Sequence, residues 1–62
     1  MVTIKSIETK EMKVWIEQHN EFFILKHQEA GKEVQALNAI SNLTLVLQFF
    51  DTLVGKDRLL SN

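Results

Sequence analysis

The chain has 62 residues, no cysteine, no proline, two glycines and a formal net charge of −1 from seven basic and eight acidic residues. That length allows a single domain, 1–62, and a domain so short is marginal unless something beyond its own core supports it. The missing cysteines exclude disulfides and thiolate metal sites, and two histidines do not make a structural zinc site. The balanced charge is neither a nucleic-acid footprint nor an acidic tail, which leaves oligomerisation as the stabilising device.

At the start of the chain, Val2 and Ile4 alternate with polar residues. This segment reads as extended, frayed, or a strand added to a partner. MVTIKSIETK has no long apolar core and no small-residue cleavage site, so no signal peptide is expected and a cytoplasmic location is.

With few helix breakers, the next stretch is predicted to be a helix over about 7–29. Ser6 or Thr9 would cap it, and Glu8 and Glu11 would place negative charge in its first turn. Met12, Trp15, Ile16, His19, Phe22, Phe23 and Lys26 recur at spacings of three and four, the stripe of a core-facing helix. Ile7, Val14 and Leu25 form a second, sparser stripe. Glu29-Ala30-Gly31-Lys32 is the break, with Gly31 in the left-handed conformation that ends helices and Lys26 and His27 favoured in the last turn.

A second helix is predicted over about 32–54. Its centre, Val34–Phe50, holds 17 uncharged residues, 11 of them apolar. Ala36, Ile40, Leu43, Leu47, Phe50 and Val54 follow a helix-packing seam, and Ala39, Val46 and Leu53 widen it into a face. Gln35, Asn38, Ser41, Asn42, Thr44 and Gln48 interrupt the run, which falls short of the roughly 20 residues a bilayer requires, so no membrane span is expected. Gly55 is the natural stop. Beyond it, Asp57 and Arg58 mark a turn, and Leu59-Leu60 could fold back.

Folding the chain at Gly31 brings Phe23 opposite Ala39, Phe22 opposite Ile40, His19 opposite Leu43, Trp15 opposite Leu47 and Met12 opposite Phe50. Large residues meet small ones near Ala36 and Ala39, as a packed core needs. The expected fold is therefore all-α: an antiparallel helical hairpin that self-associates as a homodimeric four-helix bundle. Its inner face is Met12, Trp15, Ile16, His19, Phe22, Phe23, Ile40, Leu43, Leu47 and Phe50. Val14, Leu25, Val34, Leu37, Leu45 and Phe49 lie off that face. Burying each such side chain is worth roughly 1.5–3 kcal/mol, so they mark the surface for a second copy or another protein.

Site chemistry is sparse. His19 and His27 are eight apart, too far for ligands on adjacent helical turns, and neither belongs to a Glu-x-x-His pattern. His19 reads as a partly buried histidine with a hydrogen-bond partner. Glu17, Glu21 and Glu29 alternate with polar neighbours like a solvated flank, and no glycine-rich loop cradles phosphate. No catalytic, metal or cofactor site is assigned. Asn42-Leu43-Thr44 matches a glycosylation acceptor, but Leu43 is central to the apolar face, so the match reads as coincidence. Lys5, Lys10 and Lys13 form the basic cluster, interleaved with Glu8 and Glu11.

The expected function is a small non-enzymatic protein–protein interaction or regulatory module acting through apolar helix faces as a homodimer. The alternatives are a nucleic-acid-binding regulator, which needs basic residues of two copies to converge, and a structural subunit folded with a different protein.

Overall fold

Residues 2–36 form a sheet, and helix is confined to the C-terminal third of the chain. The computed structural model describes the backbone of residues 1–60 and the side chains of residues 1–55. Strands β1 (Val2–Glu8), β2 (Met12–His19), β3 (Phe22–Glu29) and the short β4 (Gln35–Ala36) make an antiparallel meander in sequence order, followed by α1 (Leu43–Leu60).

The all-α hairpin and the four-helix bundle are therefore overturned. The segment 7–29 contains most of the sheet, and the helix expected from 32 begins at Leu43. Its stop is also displaced, because α1 continues through Gly55 to Leu60. Side chains beyond Gly55 lie outside the described residues, and with them the expectation that Leu59-Leu60 fold back.

Local chemistry explains the strands. Val14-Trp15-Ile16 and Phe22-Phe23-Ile24 are β-branched and aromatic runs, which suit a half-buried pleated surface. Between them, Asn20-Glu21 makes a two-residue reversal, placing Met12 opposite Glu29 and His19 opposite Phe22. Asn20 takes a positive φ of 58°, a conformation that asparagine tolerates better than most residues.

Thr9 caps no helix. Its hydroxyl accepts the Met12 N–H at 3.1 Å, and its own N–H donates to the Met12 carbonyl at 2.8 Å, closing the β1–β2 turn.

The chain does reverse at Gly31, whose φ is 78°, but between strands. Lys26 and His27, expected in a last helical turn, pair with Ala36 and Gln35 across β3–β4. The Leu37 N–H then donates to the Leu25 carbonyl at 2.9 Å, and Phe23 and Ile40 exchange backbone bonds of 2.7 and 2.9 Å. Residues 35–40 are extended because the edge of β3 needs hydrogen-bond partners.

Helix α1 starts where that pairing ends. The Asn42 side-chain oxygen accepts the Leu45 N–H at 3.1 Å, an N-cap bond. At about 27 Å long, α1 lies across one face of the sheet. Val14, Ile16 and Leu25 from that face and Val46 and Phe50 from the helix form the buried core. Ile7, Met12, Phe23, Leu47, Leu53 and Val54 pack around it. Lys5 ties β1 to the helix, with its ammonium 3.6 Å from Asp51 and 4.8 Å from the centre of the Phe50 ring.

Candidate interaction surfaces

Alternation along the strands divides the side chains between two faces. Val14 and Ile16 point to α1, so Lys13, Trp15, Glu17 and His19 point the other way. The β2–β3 register adds Phe22, Ile24, Lys26 and Gln28 to that second face, and the β1–β2 register adds Thr3, Ser6 and Glu8. Among the described residues no helix covers this face.

At its centre Glu17 is only 6% exposed. Its neighbours on the strands enclose it. Trp15 Nε1 donates to Glu17 Oε2 at 2.7 Å, while His19 Nε2 and Lys26 Nζ both lie 2.9 Å from Oε1. A carboxylate only accepts, so His19 carries its proton on Nε2. The hydrogen bond from Trp15 first, then those from His19 and Lys26, hold the Glu17 carboxyl at about 2, against a usual 4.5 and against the opposing effect of burial. Lys13 lies over the Trp15 ring, 5.4 Å from its centre. No buried side-chain polar atom among the described residues lacks a partner.

Other exposed apolar side chains lie on α1 and on the segment that pairs with β3. Leu45 and Phe49, one turn apart, occupy a flank of α1 and are exposed, as are Leu43 at its start and Val34 and Leu37 in the preceding segment. The outer strands of the sheet are β1 and the short β4, and at the β1 edge Met1, Val2 and Ile4 are exposed. The pairing of β1 is interrupted between Thr3 and Lys5, so Ile4 forms an irregularity of the kind that blunts edge-to-edge association.

The expected inner face is thus divided. Met12, Ile16, Phe23, Leu47 and Phe50 contribute to the core, whereas Trp15, His19 and Phe22 lie on the opposite face of the sheet. Ile40 is half-buried at the β3 edge and Leu43 is exposed. Of the six residues expected to meet a partner, Val14 and Leu25 are buried in the chain's own core, and Val34, Leu37, Leu45 and Phe49 are exposed.

Glu17 was legible as a site residue only on a strand period. Trp15-x-Glu17-x-His19 puts donor, acceptor and donor on one face at a spacing of two, whereas a helical period scatters them.

Chemically, the Glu17 cluster joins a buried carboxylate to a half-exposed imidazole without an adjoining nucleophile. Among the described residues no group of three or more His, Cys, Asp or Glu side chains is placed to hold a metal ion. Glu29 is held below the usual carboxylate range by its hydrogen bond and ion pair with Lys32, at 2.9 Å, on the exposed β3–β4 turn. No described helix is long and apolar enough to cross a membrane. Comparison with protein-family models, with curated proteins and with solved structures gives no match.

Proposed function

We propose that this chain is a non-enzymatic protein–protein interaction or regulatory module that works as a homodimer in the cytoplasm. The observation that carries the proposal is the imbalance of apolar surface. Among the described side chains, Met1, Val2, Ile4, Phe22, Val34, Leu37, Leu43, Leu45 and Phe49 are exposed, while the buried apolar core is Val14, Ile16, Leu25, Val46 and Phe50. Six more apolar side chains pack against that core in part, and a small domain that still leaves nine large ones exposed gains by covering them.

Val34, Leu37, Leu45 and Phe49 are the positions we assign to a protein partner. Sedimentation equilibrium at micromolar concentration tests the homodimer: a mass of two chains is expected, and a stable monomer refutes self-association. Affinity capture followed by mass spectrometry, with wild type beside L45E/F49E, tests the partner surface. A protein retained by wild type and lost by the folded variant is expected, whereas equal retention removes that surface from the proposal.

A further inference from the structure

We propose that a second copy of this chain packs on the sheet face opposite α1, the face of Trp15, Glu17, Phe22, Ile24 and Lys26, forming a two-sheet sandwich with each helix outermost. This rests on the homodimer proposed above and assigns it a surface.

Three observations single out that face. Its central charge is already paired and largely removed from water, although among the described residues no second layer covers it: Glu17 is 6% exposed and accepts hydrogen bonds from Trp15, His19 and Lys26. Covering an unpaired carboxylate would be costly, but covering this one leaves neither Glu17 oxygen without a donor. The remaining ammonium protons of Lys26 and the second ring nitrogen of His19 can be met by water at the rim.

The second observation is charge. Lys13 and Lys26 on this face are matched by Glu8 and Glu17, with Glu8 directly opposite Lys13. A two-fold interface sets a surface against itself, so any net charge would be doubled. A neutral face carries no such penalty, and it offers neither an acidic nor a basic ligand a reason to bind.

The third is extent. Three strands of seven or eight residues make a face roughly 25 Å by 14 Å at ordinary strand rise and spacing. Two of them, with side-chain relief, bury on the order of 1,200 Å², the lower end of stable interfaces. Paired sheets stack about 10 Å apart, with interleaved aromatic and branched side chains of the kind Trp15, Phe22 and Ile24 supply. The open β1 edge is less suited, because its pairing is broken at Ile4.

Trp15 is the sole tryptophan, so its fluorescence reports on this face alone. Full-length protein is diluted through its dimer–monomer transition, with mass followed by sedimentation and Trp15 by emission wavelength and acrylamide quenching. The expected result is a red shift and greater quenching in step with the loss of dimer. F22E, at a position already 49% exposed in the single chain, is expected to keep the native circular dichroism and to weaken the dimer by about tenfold or more. L45E/F49E is expected to leave the dimer unchanged. If the mass halves while Trp15 fluorescence stays constant, or if L45E/F49E splits the dimer and F22E does not, the homodimer stands and its assignment to this face is overturned. A monomer at every concentration overturns both.

Discussion

Glu17→Gln separates the charge of the buried cluster from its shape. Glutamine keeps an oxygen for Trp15 Nε1 but loses the carboxylate that Lys26 and His19 face at 2.9 Å. The Glu17 carboxyl titrates at about 2 in the folded chain against an ordinary 4.5, and one unit corresponds to about 1.4 kcal/mol. The ceiling is therefore about 3 kcal/mol. His19 and Lys26 are 41% and 28% exposed in their side chains, and solvent screening reduces the expected contribution to about 1–2 kcal/mol. The sign follows from the direction of the shift. A depressed carboxyl stabilises the fold fully above the unfolded value near 4.5, and the contribution is lost as pH falls from there through about 2. Urea unfolding of both proteins, followed by circular dichroism at fixed chain concentration from pH 7 to pH 2, measures the difference. Glu17→Gln is expected to be the less stable at pH 7, and the gap to close between about pH 4.5 and 2. Glu29 titrates alike in both proteins, so subtraction removes it. A variant as stable as wild type at pH 7, or a gap that does not depend on pH, refutes the proposed role of the Glu17 charge.

The two glycines make opposite predictions. Neither has a heavy atom within 4 Å of an added Cβ, so backbone alone decides. Gly55→Ala lies inside α1 and is expected to stabilise by about 0.8–1 kcal/mol, raising the melting temperature by several degrees; a loss of stability would mean that the helix does not pass through Gly55. Gly31→Ala, at a φ of 78°, is expected to cost about 1–2 kcal/mol, and a neutral result in thermal melts would remove the left-handed turn. Asn42→Ala deletes the N-cap bond to Leu45 and is expected to cost about 0.5–2 kcal/mol, whereas Asn38→Ala, outside the cap, serves as the control that should stay near neutral.

The sequence by itself determined that the chain is short and free of cysteine, that it reverses at Gly31, and that Val34, Leu37, Leu45 and Phe49 stay off the core, although it grouped Val14 and Leu25 with them and both are buried. It also carried the stripe of α1, since Val46, Leu47, Phe50, Leu53 and Val54 recur at helical spacing and pack against the sheet. It did not decide helix or strand for residues 7–29. Positions four apart share a face in both geometries, so Met12 and Ile16, or Trp15 and His19, fit either. Only spacings of two against three discriminate, and here both sides of the sheet carry apolar residues: Ile16 and Phe23 toward α1, Trp15 and Phe22 away from it. Merged, the two faces imitate a broad helical stripe. Tertiary structure decided between them through pairing. Once Asn20-Glu21 turns the chain, β2 and β3 satisfy each other's backbone, the edge of β3 draws residues 35–40 out of the helix, and Asn42 starts α1 where those partners run out. The same pairing made Glu17, which reads as one of several solvated acids, the buried centre of a face, because its three donors meet only when β2 is extended and Lys26 is brought alongside by β3.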